Sequence, residues 1–343
     1  MSDEKSSQSH FGQRLTRRHF GIAAGAALTV PIAGKLAWDH FEGFRSAKVF
    51  IARASDYNAD LRTLLRTALQ EIGVSAGSIR GKSVLLKPNL IEPALESQAV
   101  VTHPAVVHAA AEVFLGWGAD PVIIGDGPGH CRDCQLVTEL SGLKAVIRDL
   151  KARFVDLNYD RVVVRRNAMG MTKLSRLYLS ATAAEADIVV SLAKLKTHHW
   201  TGVTLSMKNM FGVLSGLCYG WPKNVLHEVG ISPSILDVNA TVKPSLAIID
   251  GIVGMEGDGP IMGTARQAGV LIVGTNAVAT DATATRVIGG DPEDIAYLAA
   301  AAGRLGPIRE HHIEQRGEPI ARVVTRFQFP HAGEMTTRFS LDS

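Results

Sequence analysis

The chemistry of this sequence is concentrated in one short stretch between two apolar segments, where cationic side chains crowd together. It carries Lys194, Lys196 and Lys208 and the adjacent pair His198 and His199. Lysine is seldom buried without a partner, so a lysine cluster beside a cleft favours an anion: a carboxylate, a phosphate or an anionic cofactor. The alternative is a structural network in which these lysines pair with carboxylates elsewhere in the chain.

Two functional roles, substrate binding and proton transfer, are predicted for these residues and for similar side chains elsewhere in the chain. Amides orient an anion by hydrogen bonding, so the predicted substrate-binding residues are Lys87, Asn89, Lys194, Lys208 and Asn209. Histidine titrates near neutral pH, and the predicted proton-transfer residues are His198, Lys196 and His103. Since side chains alternate along a strand, His198 and His199 are expected to face different ways, one of them in a packing or supporting position.

Oxygen, nitrogen and sulfur ligands for a metal form a second candidate set. The segment Asp250–Gly263 holds three carboxylates and five glycines, and hard divalent cations prefer oxygen ligands on flexible loops. The glycines equally allow backbone N–H groups to approach an anion. The predicted metal ligands are Asp250, Glu256, Asp258, His227, Cys131 and Cys134.

The cysteines leave several interpretations open. Cys131 and Cys134 form a Cys-x-x-Cys directly after a glycine-rich turn, and Cys218 is the only other cysteine. One such pair is half of a zinc or iron–sulfur site. A disulfide or redox couple, ligation shared with a histidine, and inert thiols are the alternatives.

The elements that must position these side chains alternate between strands and helices. Strands are predicted at Lys48–Ala52, Ser83–Lys87, Pro121–Gly125, Asp187–Leu192, Ser245–Asp250 and Val270–Gly274. Helices are predicted at Asn58–Gly73, His103–Trp117, Asn276–Ile288 and Pro292–Arg304. Continuous apolar strands between helices indicate an α/β fold, a mostly parallel, Rossmann-like sheet with helices on both faces, and residues 154–180 are predicted to be a strand-rich insertion.

The polar residues follow the predicted strands, at the points where the strands end. The segments are Lys87–Asn89, Asp126–His130, Lys194–His199 and Asp250–Pro260. In open parallel sheets, ligands bind at the carboxyl ends of the strands. Four such ends that carry lysine, asparagine, histidine and carboxylates therefore predict one shared site.

The N-terminus has the pattern of an export signal. Arg17 and Arg18 precede Phe20 and an apolar run from Gly21 to Gly34. Paired arginines before a short apolar run are typical of the twin-arginine subtype, and about 14 apolar residues fall short of the roughly 20 that span a membrane. We expect a periplasmic protein, or one anchored by an uncleaved signal, with the twin-arginine translocase as its partner during export.

Composition and missing motifs exclude several classes of protein. The 343 residues fit two domains or one large α/β domain, and the net charge of +3 gives no case for nucleic-acid binding. Three cysteines are too few for a disulfide framework. Neither a phosphate-loop motif nor a Gly-x-Gly-x-x-Gly after the first strand is present, and the absence of Gly-x-Ser-x-Gly argues against an α/β-hydrolase.

Several blocks together resemble the bacterial and archaeal family known as domain of unknown function 362. The matching blocks are Lys87–Asn89, Thr102–Pro104, Gly125–Gly129, Ser191–His198, Met207–Gly212, His227, Asp250–Ile252, Glu256–Pro260, Asp281 and Gly289–Leu298. The resemblance covers about residues 47–310. Members sometimes carry a fused ferredoxin-like domain, but no run of four cysteines follows residue 260 here.

The expected organisation is a signal segment over 1–46, an α/β domain over 47–326 and a tail over 327–343. The favoured function is a redox or metal-assisted enzyme that acts on an anionic small molecule. A divalent metal is favoured over an iron–sulfur cluster as cofactor, and a redox partner is a further candidate. The alternative is a non-catalytic binding or maturation protein for an anionic metabolite or a metal or iron–sulfur cofactor.

Overall fold

A central sheet organises the chain in the computed structural model, which describes residues 47–95, 99–129 and 133–330. The strands are β1 (Ala47–Arg53), β2 (Val84–Pro88), β3 (Val122–Asp126), β4 (Arg153–Asp156), β5 (Val162–Arg166), β6 (Arg176–Ser180), β7 (Ile188–His198), β8 (Gly202–Val203), β9 (Leu246–Glu256), β10 (Thr264–Gly274) and β11 (Ile313–Gly317). The described residues belong to one compact unit. The predicted signal segment lies outside them.

The sheet is mostly parallel, as predicted. Its order is β11-β1-β10-β9-β7-β2-β3-β4, and the short β8 pairs with β7. Along this order only β10 runs antiparallel to its neighbours, β1 and β9. The ends of β2, β3 and β7 therefore meet at one edge of the sheet.

Helices cover both faces of this sheet. They are α1 (Leu61–Glu71), α2 (Ala76–Ile79), α3 (Pro104–Gly116), α4 (Cys134–Leu140), α5 (Leu143–Asp149), α6 (Ala181–Glu185), α7 (Leu205–Asn209), α8 (Gly216–Tyr219), α9 (Asn224–Glu228), α10 (Ile231–Val242), α11 (Ala277–Val287), α12 (Ala296–Ala301) and α13 (Ile320–Val323). Two apolar clusters result, one with α1 and α3 and the other with α10 and α11. Alternate residues of β7 enter each cluster, which is the period expected of a strand buried on both faces. The predicted α/β class is confirmed.

Three strands are clearly longer than predicted. One is β10, which begins at Thr264 instead of Val270. The other two, β7 and β9, change where the lysines and carboxylates lie. The end of the first was placed at Leu192, but β7 continues to His198, so Lys194 and Lys196 lie inside the strand. The end of the second was placed at Asp250, but β9 continues to Glu256. The predicted ends of β7 and β9 are wrong because they assume that a strand stops at its first charged residue. Here, partners on neighbouring elements permit those charged residues to be buried within the strands.

Smaller differences concern the segments outside the central strands. Only part of the predicted insertion stands apart from the main sheet, as the antiparallel pair β5 and β6, while β4 is a strand of that sheet. The predicted helix at Pro292–Arg304 is divided into a 3-10 helix, Pro292–Asp294, and α12. Across the described part of the chain, the helices are too short or too polar for any of them to cross a bilayer.

Candidate functional site

A cavity of about 390 Å³ opens where β2, β3 and β7 end. Its size lies within the range of small-molecule sites. Polar side chains line its interior, and Ile261 and Met262 contribute to its wall. The polar and aromatic lining residues are Lys87, Asn89, Asp126, His198, His199, Trp200, Thr204, Lys208, Asn209, Phe211, Lys223, Asn224, His227 and Asp258.

The floor of the cavity is a buried ion pair. Lys87 Nζ lies 2.5 Å from Asp126 Oδ1 and donates to Asn209 Oδ1 at 2.9 Å and to the Pro88 carbonyl oxygen at 2.8 Å. Asp126 also accepts the N–H groups of Leu90 and Gly127, each at 2.8 Å. Burial lowers the pKa of Lys87, and the attraction of Asp126 opposes that shift.

Helix α7 presents two of the predicted binding residues, Lys208 and Asn209, to this floor. Its first turn is held by Asp281 of α11, whose carboxylate accepts the N–H groups of Ser206 and Met207, each at 2.8 Å. Burial raises the pKa of Asp281 well above its usual range. Asp281 therefore positions the end of α7 without lining the cavity itself.

Two lysines of the lining contact no carboxylate among the residues that the structure describes. Lys208 is half-buried, lies 5.0 Å from the Phe211 ring centroid, and burial lowers its pKa to about 8. Lys223 is buried and donates to the Gly127 carbonyl oxygen at 3.0 Å. Burial lowers the pKa of Lys223 to about 7, against the attraction of Asp126.

Three histidines line the same cavity, two of them as neighbours in sequence. The ring centroids of His198 and His199 are 4.9 Å apart. The prediction that they face different ways does not hold, because β7 ends at His198 and strand alternation stops there. Trp200 makes edge contacts with His199 at 4.8 Å and with His227 at 5.4 Å between ring centroids.

Two further polar groups of the lining lack protein partners. Asn89 Oδ1 and Thr204 Oγ1 are buried and make no hydrogen bond within the described part of the chain. Buried polar groups in folded proteins are nearly always hydrogen-bonded, and each unmet group costs about 1–3 kcal/mol. Inside a cavity, either water or a bound ligand can supply the missing partners.

Three predicted site residues lie in a separate cluster. Lys194 Nζ and Asp250 Oδ2 form a fully buried ion pair at 2.8 Å, and Tyr57 Oη contacts both side chains. His103 caps α3, stacks on Tyr57 at 3.5 Å between ring centroids and donates its backbone N–H to Asp250. The structural-pairing alternative is confirmed for Lys194, and none of these residues lines the cavity.

The remaining candidates are dispersed. Lys196 Nζ donates to the carbonyl oxygens of Val100 and Pro260 at 2.8 and 3.1 Å. Glu256 accepts the backbone N–H of Gln328, and Cys134 begins α4. Cys131 lies outside the described residues. Within the described ranges, no three histidine, cysteine, aspartate or glutamate side chains lie together as metal ligands, so the predicted metal set is not assembled there.

Among the cavity residues on which the site depends, sequence reasoning missed four: Asp126, His199, Thr204 and Lys223. Asp126 begins one of the four strand-end segments but is not among the predicted site residues. A carboxylate at the end of an apolar strand is the signal that could have identified it. His199 was set aside on the alternation argument. Lys223 stands alone in a loop, in a left-handed backbone conformation with φ of 67°, and no sequence pattern marks it.

One protein-family model matches the part of the chain that contains the elements lining this cavity. The model described as "Domain of unknown function (DUF362)" matches residues 84–286, which include β2, β3, β7, α7 and α11. The chain belongs to this family. A relative of this chain, the "Thylakoid-associated protein sll1697" of Synechocystis sp. (strain ATCC 27184 / PCC 6803 / Kazusa), is 32% identical over 267 residues, or 75% of this chain and 79% of the relative.

Two solved structures align with part of this DUF362 chain. The lactate racemase apoprotein from Thermoanaerobacterium thermosaccharolyticum aligns with a TM-score of 0.39 and 15% identity, over 65% of this chain and 54% of that one. A protein from Thermotoga maritima aligns with a TM-score of 0.34 and 14% identity, over 60% and 52%. The chain thus spans about half the length of these solved chains.

Proposed function

We propose that this protein binds a small organic anion in the cavity and acts on it by proton transfer. The observation that carries the proposal is the set of unmatched groups in the cavity. Lys208 has no carboxylate partner among the described residues, and the buried atoms Asn89 Oδ1 and Thr204 Oγ1 make no hydrogen bond there.

The charge inside the cavity supports an anion over a cation or a neutral ligand. Asp126 compensates Lys87 at the floor, which leaves Lys208 and Lys223 as two further cations. Asp258, the other carboxylate of the lining, is exposed. Charged groups in a partly buried site interact more strongly than in water, so an anion beside both lysines would restore their usual protonation.

The neighbouring histidines support an enzyme over a protein that only binds. Binding an anion needs cations and amides, whereas His198 and His199 add groups that donate and accept protons. Redox and metal-assisted chemistry were the sequence-based expectations, and proton transfer is the activity for which the lining residues themselves provide groups. Anion binding without any turnover would favour the alternative function, a non-catalytic binding or maturation protein.

The first test is ligand-induced thermal stabilisation of the full chain. Sulfate, phosphate and small mono- and dicarboxylates are expected to raise the melting temperature by mass action. Lys208→Gln is expected to weaken anion binding by about 10- to 100-fold, since hydrogen bonds to charged groups contribute roughly 1.5–3 kcal/mol. Calorimetric titration gives the dissociation constants.

The matched control is Lys173→Gln, which removes an exposed lysine outside the cavity. It is expected to leave the anion affinity unchanged. Equal losses in both variants would mean that only the overall charge matters and would contradict a specific site. A wild-type melting temperature that no anion raises would contradict the proposal itself.

Anion affinity is expected to depend on pH through the two unmatched lysines. Their pKa values of about 7 for Lys223 and about 8 for Lys208 mean that both lose protons in the weakly alkaline range. Protonated lysines bind the anion, so affinity should be highest below the lower pKa and should fall as pH rises through both values.

Sulfate is the probe for this pH dependence, because its own charge stays constant over the range. Binding should take up protons near and above these two pKa values, where the free lysines have lost protons that the bound ones retain. The uptake appears as a binding enthalpy that changes with the ionisation enthalpy of the buffer. In Lys208→Gln, sulfate affinity should no longer fall near the Lys208 pKa of about 8. A flat profile for sulfate in the wild type would show that neither lysine contacts the anion.

We also propose that the protein is exported by the twin-arginine translocase, on the pattern of Arg17, Arg18 and the apolar run after them. Replacing both arginines with lysine is expected to retain the protein in the cytoplasm, as measured by fractionation and immunoblotting. Arg14→Lys is the control, since it alters a nearby basic residue outside the pair. Unchanged export of the double variant would contradict this route.

A further inference from the structure

His198 and His199 have opposite hydrogen-bonding patterns at the same ring atom. Nδ1 of His198 accepts the backbone N–H of Trp200 at 3.0 Å and that of Thr201 at 3.4 Å. Nδ1 of His199 lies 2.7 Å from the carbonyl oxygen of Gly259. A nitrogen that accepts carries a lone pair, whereas a nitrogen that contacts a carbonyl oxygen must donate a hydrogen.

These contacts assign the tautomers of the two neutral rings. One ring nitrogen of a neutral imidazole carries hydrogen and the other a lone pair, and the contact at Nδ1 determines which. Nε2 of His198 therefore carries the hydrogen, and Nε2 of His199 carries the lone pair. The two rings line one cavity, so a donor and an acceptor are available to the same ligand.

The surroundings keep His198 in its neutral form. It is buried, and burial together with the positive charge of Lys208 and of the neighbouring histidines holds its pKa well below the usual range. It is therefore suited to donate a hydrogen bond without becoming charged. His199 is only partly buried, and the contact of its Nδ1 with the Gly259 carbonyl oxygen orients the ring so that Nε2 is the nitrogen left to accept a proton.

Resting on the anion site proposed above, we propose that His199 is the proton acceptor of the cavity and that His198 is a fixed N–H donor to the same ligand. A proton moves from the ligand to Nε2 of His199, and the electron pair of the broken bond stays on the ligand. The Nε2–H of His198 and the ammonium group of Lys208 stabilise the added negative charge. The substrate class is a small organic anion that carries a second, acidic proton.

The assignment is tested without any ligand by NMR of the ring nitrogens in the full chain. Long-range proton–nitrogen correlation distinguishes a protonated ring nitrogen from one with a lone pair. We expect lone-pair shifts for Nδ1 of His198 and Nε2 of His199 in the neutral rings. A hydrogen on Nδ1 of His198, or on Nε2 of neutral His199, overturns the inference even if anions bind.

Two asparagine variants test the proton transfer. In His199→Asn the amide nitrogen can still donate to Gly259, and in His198→Asn the amide oxygen can still accept from Trp200, while each variant loses Nε2. The probe is 4-hydroxy-3-nitrobenzoate, whose carboxylate occupies the anion site and whose phenol gains visible absorbance when it loses its proton. Spectra are recorded below the pH at which the free phenol ionises.

Bound probe is expected to show phenolate absorbance with the wild type, to keep most of it with His198→Asn and to lose it with His199→Asn. Equal absorbance in His199→Asn and the wild type overturns the role of His199, as does bound probe without phenolate in the wild type. A probe and an anion panel that both fail to bind overturn the anion site and this proposal together. In that case the NMR result separately reports whether the tautomers are as assigned.

Discussion

Replacing Asp126 with asparagine is expected to lower the free energy of unfolding by about 3–5 kcal/mol, the usual loss when one partner of a buried ion pair is removed. The variant keeps the shape of the side chain but leaves the buried ammonium group of Lys87 without its counter-charge. Asn209 and the Pro88 carbonyl oxygen still contact Lys87, yet neither carries a compensating charge. Urea unfolding followed by circular dichroism measures the change.

The pH dependence of this loss identifies its cause. Burial already lowers the pKa of Lys87, and removal of Asp126 should lower it further. A lysine whose pKa is lower in the folded state destabilises the protein at low pH, and the penalty shrinks as pH rises and the folded state releases its proton. The deficit of Asp126→Asn should therefore shrink as the solution becomes more alkaline.

Asp258→Asn is the matched control, because it removes a carboxylate of the same cavity that is exposed. Exposed substitutions usually change stability by less than about 0.5 kcal/mol. If Asp126→Asn were no more destabilising than this control, Lys87 would have to be neutral in the folded protein, and the ion pair would not form the floor of the site.

The sheet and the general position of the site were predictable because both follow from local patterns. Apolar strands between amphipathic helices predict a parallel sheet, and polar residues after strands predict a site at the carboxyl edge. The strand-end pattern selects Lys87 and Asn89, while the lysine cluster and the amide argument select Lys208 and Asn209; the structure brings all four to one cavity. His198, His227 and Asp258 lie there as well.

The partners of individual side chains were not predictable, because they depend on the register between distant strands. Lys194 lies opposite Asp250 on β9 in that register, and the resulting ion pair is buried between the elements rather than facing a ligand. His103 immediately precedes Pro104 at the start of α3, so its capping role was accessible from the local sequence. Lys223 lies in the cavity because segments that are distant in sequence pack together, and no local sequence pattern predicts that packing.

The tight packing around the floor gives the last prediction, which concerns Gly212 in the 3-10 helix Met210–Val213. A Cβ atom at this position would overlap Asp126 Oδ1 and the Cε and Nζ atoms of Lys87. These atoms are buried and held by several hydrogen bonds, so they have little room to move. Gly212→Ala is therefore expected to cost at least the roughly 1–3 kcal/mol typical of overpacking and to weaken anion binding as well.

The cavity contains its own control for that substitution. A Cβ atom on Gly129 would meet no atom of the described residues within 4 Å, although Gly129 also lines the cavity. Gly129→Ala should therefore leave both the urea midpoint and the sulfate dissociation constant close to their wild-type values. If Gly212→Ala behaved in the same way, the ion pair of Lys87 and Asp126 would have to be free to shift, and the floor would not be rigid enough to fix the position of a bound anion. Loss of stability and of anion affinity in Gly212→Ala alone would instead link the packing of this glycine to the geometry of the site.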